Sequence, residues 1–134
     1  MNLFVDTSVW SLALRRDSTE RAAEAVLLSE ALDHGGAVFT TGLVLQELLQ
    51  GFTGPKARDR LVQRFSALPF LMPDRTDHIE AAAIRNTCRR KGVQVGTVDA
   101  LLARLCIHHE LMMLTADRDF TRVARYTPLR VWSG

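Results

Sequence analysis

Cysteine is nearly absent from this 134-residue chain, with only Cys88 and Cys106. Neither stands at zinc-ligand spacing from another Cys or a His, so a disulfide framework and a structural zinc site are both excluded. Each lies in a helix-like pattern and reads as a buried thiol. No run of about 18 apolar residues occurs, which excludes a membrane-spanning helix by pattern. No signal-peptide pattern precedes the first strand-like segment, so the expected compartment is the cytoplasm. Lysine is scarce too: the 17 cations are 15 Arg and 2 Lys, against 15 acids. A net charge of +2 does not fit a protein that coats nucleic acid with a basic surface. The arginine bias fits either a GC-rich genome or a local phosphate-binding surface. Proline and aromatics are sparse, whereas 47% of the chain is apolar and 24% charged. That composition belongs to an ordinary folded domain and excludes collagen-like, low-complexity and disordered classes.

Apolar segments alternate in two periods. Leu3-Phe4-Val5, Ala37-Val38-Phe39, Pro69–Pro73, Leu111–Leu114 and Leu129–Trp132 are short runs that read as strands. Pro69 predicts an edge position for the third. Between them lie helical patterns. Their expected starts are Ser18 or Thr19 with Glu20 in the first turn, Thr40 or Thr41, Pro55, Thr76 or Asp77, and Thr97. Gly35-Gly36, Gly51 and Gly92 are expected stops. Short apolar strands alternating with helices predict one α/β domain over residues 1–134, a three-layer α/β/α sandwich with a five-stranded parallel sheet. No repeat or linker interrupts it.

In open parallel sheets the functional crevice lies beyond the carboxyl ends of the strands. Asp6 directly follows Val5, and Asp117 follows Leu114 by three residues. Either one alone equally suits a helix cap. Two more acids sit on helices. Glu47 falls about 60° outside the apolar arc of Val44, Leu45, Leu48, Leu49 and Phe52, where a solvated face is the alternative. Asp99 lies about 20° beyond the arc of Val98, Leu101, Leu102, Leu105 and Cys106. It is also in a first helical turn, where the dipole favours a carboxylate. If the four converge, their mutual repulsion calls for a hard divalent cation, Mg²⁺ or Mn²⁺. Asp119 is a possible fifth member, or the residue that caps or opens the Phe120 helix. Thr7 and Ser8 can hydrogen-bond a neighbouring carboxylate or cap the helix that follows Asp6.

Val5-Asp6-Thr7-Ser8, Gln46–Gly51, Thr97–Ala103 and Leu114–Phe120 occur in that order. Together they resemble the PIN-domain ribonucleases, specifically the VapC toxins of type II toxin–antitoxin pairs, over essentially the whole chain. The resemblance implies a parallel sheet of order 3-2-1-4-5. It also implies an Mg²⁺- or Mn²⁺-dependent endoribonuclease in which a metal-activated water hydrolyses RNA, tRNA or rRNA, leaving a 5′-phosphate. The catalytic acids it implies are Asp6, Glu47, Asp99 and Asp117. Asp6, Asp99 and Asp117 are the metal ligands, and Glu47 and Asp119 bind directly or through water. Thr7 or Ser8 is the supporting hydroxyl. The implied partners are a VapB-type antitoxin that pushes a charged side chain into the acidic cleft, and a second copy of the chain. Val9, Trp10 and Leu14 are candidates for the antitoxin groove, with core packing as their alternative, and Ala100, Ala103 and Ile107 for the homodimer contact. RNA-contacting residues are not assigned: Arg15, Arg16, Arg89, Arg90, Lys91 and Arg118 fit phosphate contacts or solvated helix ends equally.

Rival readings differ in the same motifs. A haloacid-dehalogenase-type phosphatase requires an acid where Ser8 stands. A receiver domain requires paired acids after its first strand and a late Lys, neither of which is present. A PIN fold without activity, serving as an RNA- or protein-binding module, would not need all four acids.

Overall fold

The computed structural model describes residues 1–15 and 22–134. The expected helix start at Ser18, Thr19 and Glu20, and the candidate cation Arg16, lie outside the described residues. In chain order the elements are β1 (Leu3–Val5), α1 (Thr7–Leu14), α2 (Ala23–Asp33), β2 (Val38–Phe39), α3 (Gly42–Gly51), α4 (Pro55–Ser66), α5 (Arg75–Arg90), α6 (Thr97–His108), β3 (Met112–Leu114), α7 (Arg118–Ala124) and β4 (Arg130–Val131).

The strands form one parallel sheet in the order β2-β1-β3-β4. Leu3, Phe4 and Val5 pair with Met112, Met113 and Leu114 on one side, and Leu3 and Phe4 with Val38 and Phe39 on the other. Every β1 side chain is buried, as is usual for a parallel strand covered on both faces.

The expected fifth strand, Pro69–Pro73, is a correction. It meets the sheet edge through one parallel bridge, Thr40 to Phe70, with Leu71 N–H donating to the Thr40 carbonyl at 2.8 Å. Proline at both ends removes ladder donors, and Met72 points into solvent at 81% exposure. Counting that bridged segment as the edge, the spatial order is the expected 3-2-1-4-5.

Several helix starts also differ from expectation. α5 begins earlier than Thr76, because Asp74 caps it. Asp74 accepts from Asp77 N–H while Asp77 accepts from Asp74 N–H, a reciprocal capping box. Gly96, not Thr97, is the cap of α6, with no side-chain bond. Thr41 occupies the cap position of α3, but its hydroxyl donates to the Leu71 carbonyl and so ties the bridged edge down. Asp117, not Asp119, caps α7. The expected stops hold at Gly35 and Gly92, which adopt φ of +70° and +81° just past α2 and α5, the left-handed conformation that glycine takes at low cost.

α1 packs against α2 and α3, α3 against α4, and α5 lies along α6. The core runs from Leu3, Phe4 and Val5 through Trp10, Leu48 and Phe65 to Leu105, Met113, Leu114 and Phe120. Cys88 and Cys106 are buried free thiols within it.

Two candidate surfaces are thereby corrected. Val9 and Trp10 are fully buried, and Trp10 stacks obliquely on Phe65 with ring centroids 4.8 Å apart, so neither lines a groove. Leu14 is half-buried against the same core. Ala100 and Ala103 are buried, because α5 covers the second face of α6; only Ile107 of the three dimer candidates retains partial exposure.

Candidate active site

β1 is flanked by β2 on one side and β3 on the other, so the order in which parallel strands are added switches side there. The crevice expected of an open α/β sheet lies beyond the carboxyl ends of these strands. Asp6 stands at the end of β1, its N–H donating to the Leu114 carbonyl at 3.1 Å. Asp117 follows β3. The register that pairs Val5 with Leu114 therefore brings the two aspartate-bearing chain ends side by side.

Asp6 caps α1, but only through a long 3.4 Å bond from Val9 N–H. Shorter bonds come from hydroxyls. Ser8 Oγ donates to Oδ1 at 2.6 Å and Thr115 Oγ1 to Oδ2 at 2.7 Å. Ser8 in turn accepts Ala116 N–H at 3.0 Å, and Thr115 accepts Asp117 N–H at 3.0 Å. Both carboxylate oxygens are thus fixed by groups that are themselves oriented. Burial raises the Asp6 pKa, and the nearby Asp117 charge adds to the rise, while the two hydroxyls and Val9 N–H oppose it. Asp117 accepts Asp119 N–H at 2.9 Å, which sets its own carboxylate at the mouth of α7.

The other two acids come from helices. Glu47 projects from the exposed side of α3 and accepts Thr7 Oγ1 at 3.0 Å, a link between α1 and α3. Asp99 sits half-buried in the first turn of α6. Its pKa is pushed up to about 6, first by burial and then by repulsion from Asp117, Asp6, Glu47 and Asp119. The charges of Asp117, Asp6, Glu47 and Asp119 thus all reach Asp99, though burial contributes most to its shift. Asp119 is half-exposed and pairs with Arg122 at 3.2 Å. Cys106 lies beneath Asp6, its thiol pushed up by burial and by that carboxylate.

Thr7 and Ser8, expected as supporting hydroxyls, occupy two different posts: Thr7 on Glu47 and Ser8 on Asp6. Thr115 is a site residue that the sequence does not single out. Its only local signal is a hydroxyl residue directly after the third strand, and its partner is 109 residues distant.

Among the described residues, Asp6, Glu47, Asp99 and Asp117 form no ion pair. Among those residues, no group of three or more Asp, Glu, His or Cys is placed closely enough to hold a metal ion. The donor set is entirely oxygen and its negative charge is uncompensated. That chemistry suits a hard divalent cation and not zinc.

Comparison with known proteins agrees with this architecture. The family model described as PIN domain matches residues 3–126. The VapC ribonuclease Mb1587 of Mycobacterium bovis and the ribonuclease VapC11 of Mycobacterium tuberculosis are each 31% identical over 98% of both chains. Among solved structures, VapBC2 of Rickettsia felis bound to a DNA fragment of its promoter superposes with a TM-score of 0.73 at 18% identity, covering 99% of this chain and 100% of that one. The sarcin-ricin-loop-cleaving toxin VapC20 of Mycobacterium tuberculosis gives a TM-score of 0.69 at 19% identity, covering 96% and 99%. By the match along nearly its whole length, the chain belongs to the PIN-domain family, among the VapC ribonucleases.

Proposed function

We propose that this protein is a divalent-cation-dependent endoribonuclease acting in the cytoplasm as the toxin of a toxin–antitoxin pair. The observation that carries this reading is the strand register that pairs Val5 with Leu114, by which Thr115 binds both Asp6 and Asp117; with the Glu47, Asp119 and Asp99 charges close by, the inner acids form no ion pair among the described residues. Such an arrangement stores repulsion that a cation would relieve. Asp6, Asp99 and Asp117 would hold Mg²⁺ or Mn²⁺, with Glu47 and Asp119 bound directly or through water. When bound, the cation supplies Lewis-acid polarisation of the phosphodiester and acidifies water.

The chain's own residues prepare that chemistry. Ser8 and Thr115 hold the Asp6 carboxylate in one rotamer, which lowers the reorganisation needed on reaching the transition state. Thr7 steers Glu47 towards the cleft. Asp117 is locked by its cap. Water attacks phosphorus, the bond to the 3′ oxygen breaks, and the products carry a 5′-phosphate and a 3′-hydroxyl. No side-chain nucleophile is required. The substrate is a structured RNA, tRNA or rRNA, in keeping with the sarcin-ricin-loop cleavage of the similar VapC20. The partners are a small VapB-type antitoxin that places a cationic side chain in the acidic cleft, and a second copy of the chain.

Asp6→Asn and Asp99→Asn, assayed separately for RNA cleavage with Mg²⁺, test the assignment. Loss of activity in each is expected, and full activity in both overturns it. Calorimetric titration of the wild type with Mn²⁺ separates an enzyme from an inactive binding module, for which no binding is expected.

A further inference from the structure

A second cleft opens at the end of α5, where the chain turns through residues 92–96 into the first turn of α6. It has a volume of about 470 Å³ and is lined by Arg85, Arg89, Val93, Gln94, Val95 and Gly96. Asp99 is three residues beyond Gly96, in the first turn of the helix whose cap lines the cleft, roughly 4.5 Å further along its axis.

Three features distinguish this cleft from an ordinary basic helix end. Arg85 is half-buried, and its Nε donates to the Val95 carbonyl at 2.8 Å, which fixes the guanidinium plane and leaves its outer edge available. Neither Arg85 nor Arg89 forms an ion pair among the described residues, whereas Arg104, Arg58 and Arg122 do. Residues 81–98 carry Arg85, Arg89, Arg90 and Lys91 with no Asp or Glu between them. A pre-oriented guanidinium with a free edge, a second one a helical turn away, and no local counter-charge match a phosphate oxyanion. The uncapped N-terminus of α6 opens on the same cleft and adds favourable partial charge.

We infer that the Arg85–Arg89 cleft binds a backbone phosphate of the RNA strand, flanking the phosphate that is cut. This rests on the ribonuclease reading above. It gives the cleft the task of register: one phosphate gripped by arginine fixes which neighbouring phosphate reaches the acids. Arg104, on the same helix as Asp99, has no part in it because its guanidinium is committed to Asp77.

The test is fluorescence anisotropy of a labelled single-stranded RNA with the full chain in EDTA, over a range of salt. The wild type should bind with affinity falling as salt rises. Arg85→Ala/Arg89→Ala should bind about tenfold more weakly, with a salt slope shallower by ~0.7 for each phosphate no longer neutralised. Arg89→Ala alone leaves the Arg85–Val95 bond intact and carries the test if the double variant unfolds; about threefold weaker binding is expected. Arg58→Ala, on a remote helix, should match the wild type. If the wild type binds RNA and both arginine variants match it in affinity and slope, the cleft assignment is overturned while the ribonuclease reading stands. If the wild type binds no RNA at any salt, the cleft assignment falls, and the ribonuclease reading is decided separately by the Mg²⁺ cleavage assay.

Discussion

Thr115 Oγ1 donates to Asp6 Oδ2 at 2.7 Å across 109 residues of sequence, joining the ends of two adjacent parallel strands. The bond is charge-assisted and buried, and Thr115 simultaneously accepts the N–H of Asp117. One hydroxyl thus positions two acids. Thr115→Val keeps the shape and removes both functions, so RNA cleavage should fall roughly 10- to 100-fold, the effect of losing a bond worth ~1.5–3 kcal/mol at a reacting group. Thr115→Ser restores the hydroxyl and should recover most of the activity. Equal loss in Val and Ser variants, measured at equal thermal stability, would count against a positioning role.

Asp99 makes the cation-free protein less stable above neutrality. Its folded pKa near 6 exceeds the ordinary 3.8, so the folded state binds the proton more tightly than the unfolded chain. The resulting stability is fully present below pH ~4 and lost as pH rises through about 6. Asp99→Asn removes the charge and should therefore stabilise the protein in EDTA at pH 7.5. A gain of ~1 kcal/mol is expected, after discounting for the solvent that reaches this half-buried group, or roughly 3–5 °C in Tm. At pH 4 the two proteins should melt together. Thermal melts at both pH values check this, and Mn²⁺ should raise the wild-type Tm at pH 7.5 more than that of the variant.

Trp10 is buried against Phe65, and its indole N–H has no hydrogen-bond partner among the described residues. Trp10→Ala empties a large volume between α1 and α4 and should cost about 3–5 kcal/mol in urea unfolding. Trp10→Phe loses less volume and also removes the unpaired donor, so its cost should stay below about 1.5 kcal/mol. A comparable loss in both would mean that the indole N–H is satisfied in solution.

Asp6 and Asp117 were legible because a strand end is a local pattern, and Asp99 because a helical wheel needs only its own segment. Glu47 fell outside its apolar arc, and the motif order was what singled it out. Thr115, Asp77 and Arg85 were not legible, since the meaning of each depends on a partner in another element. Helix starts were misplaced where two neighbouring residues could both cap: Asp74 outcompetes Thr76 because Asp77 completes its capping box. The Pro69–Pro73 segment takes the edge place that Pro69 predicts, but it makes only one bridge because prolines at both ends remove ladder donors.

The far end of α6 holds a charged network unrelated to the acidic cleft. Asp77 is 1% exposed and accepts from Arg104 Nε at 3.0 Å, lies 2.7 Å from His108 Nδ1, and caps its own helix through Asp74 N–H. Burial alone would raise its pKa, but the Asp74 N–H, His108 and Arg104 outweigh that and hold it at about 2. The folded state therefore binds this proton more weakly than the unfolded chain. The stability so conferred is present above pH ~4 and lost as pH falls through about 2, amounting to about 2 kcal/mol. Arg104→Ala leaves a buried carboxylate with fewer donors and should cost roughly 2–3 kcal/mol at pH 7. This is less than for a fully bared buried charge, because His108 and the backbone remain. Asp77→Asn should flatten the acid limb of the stability curve between pH 4 and 2, while RNA cleavage per folded molecule at pH 7.5 stays at the wild-type level. Urea unfolding across that pH range decides it: a parallel acid limb in Asp77→Asn and wild type would place the acid-labile group elsewhere.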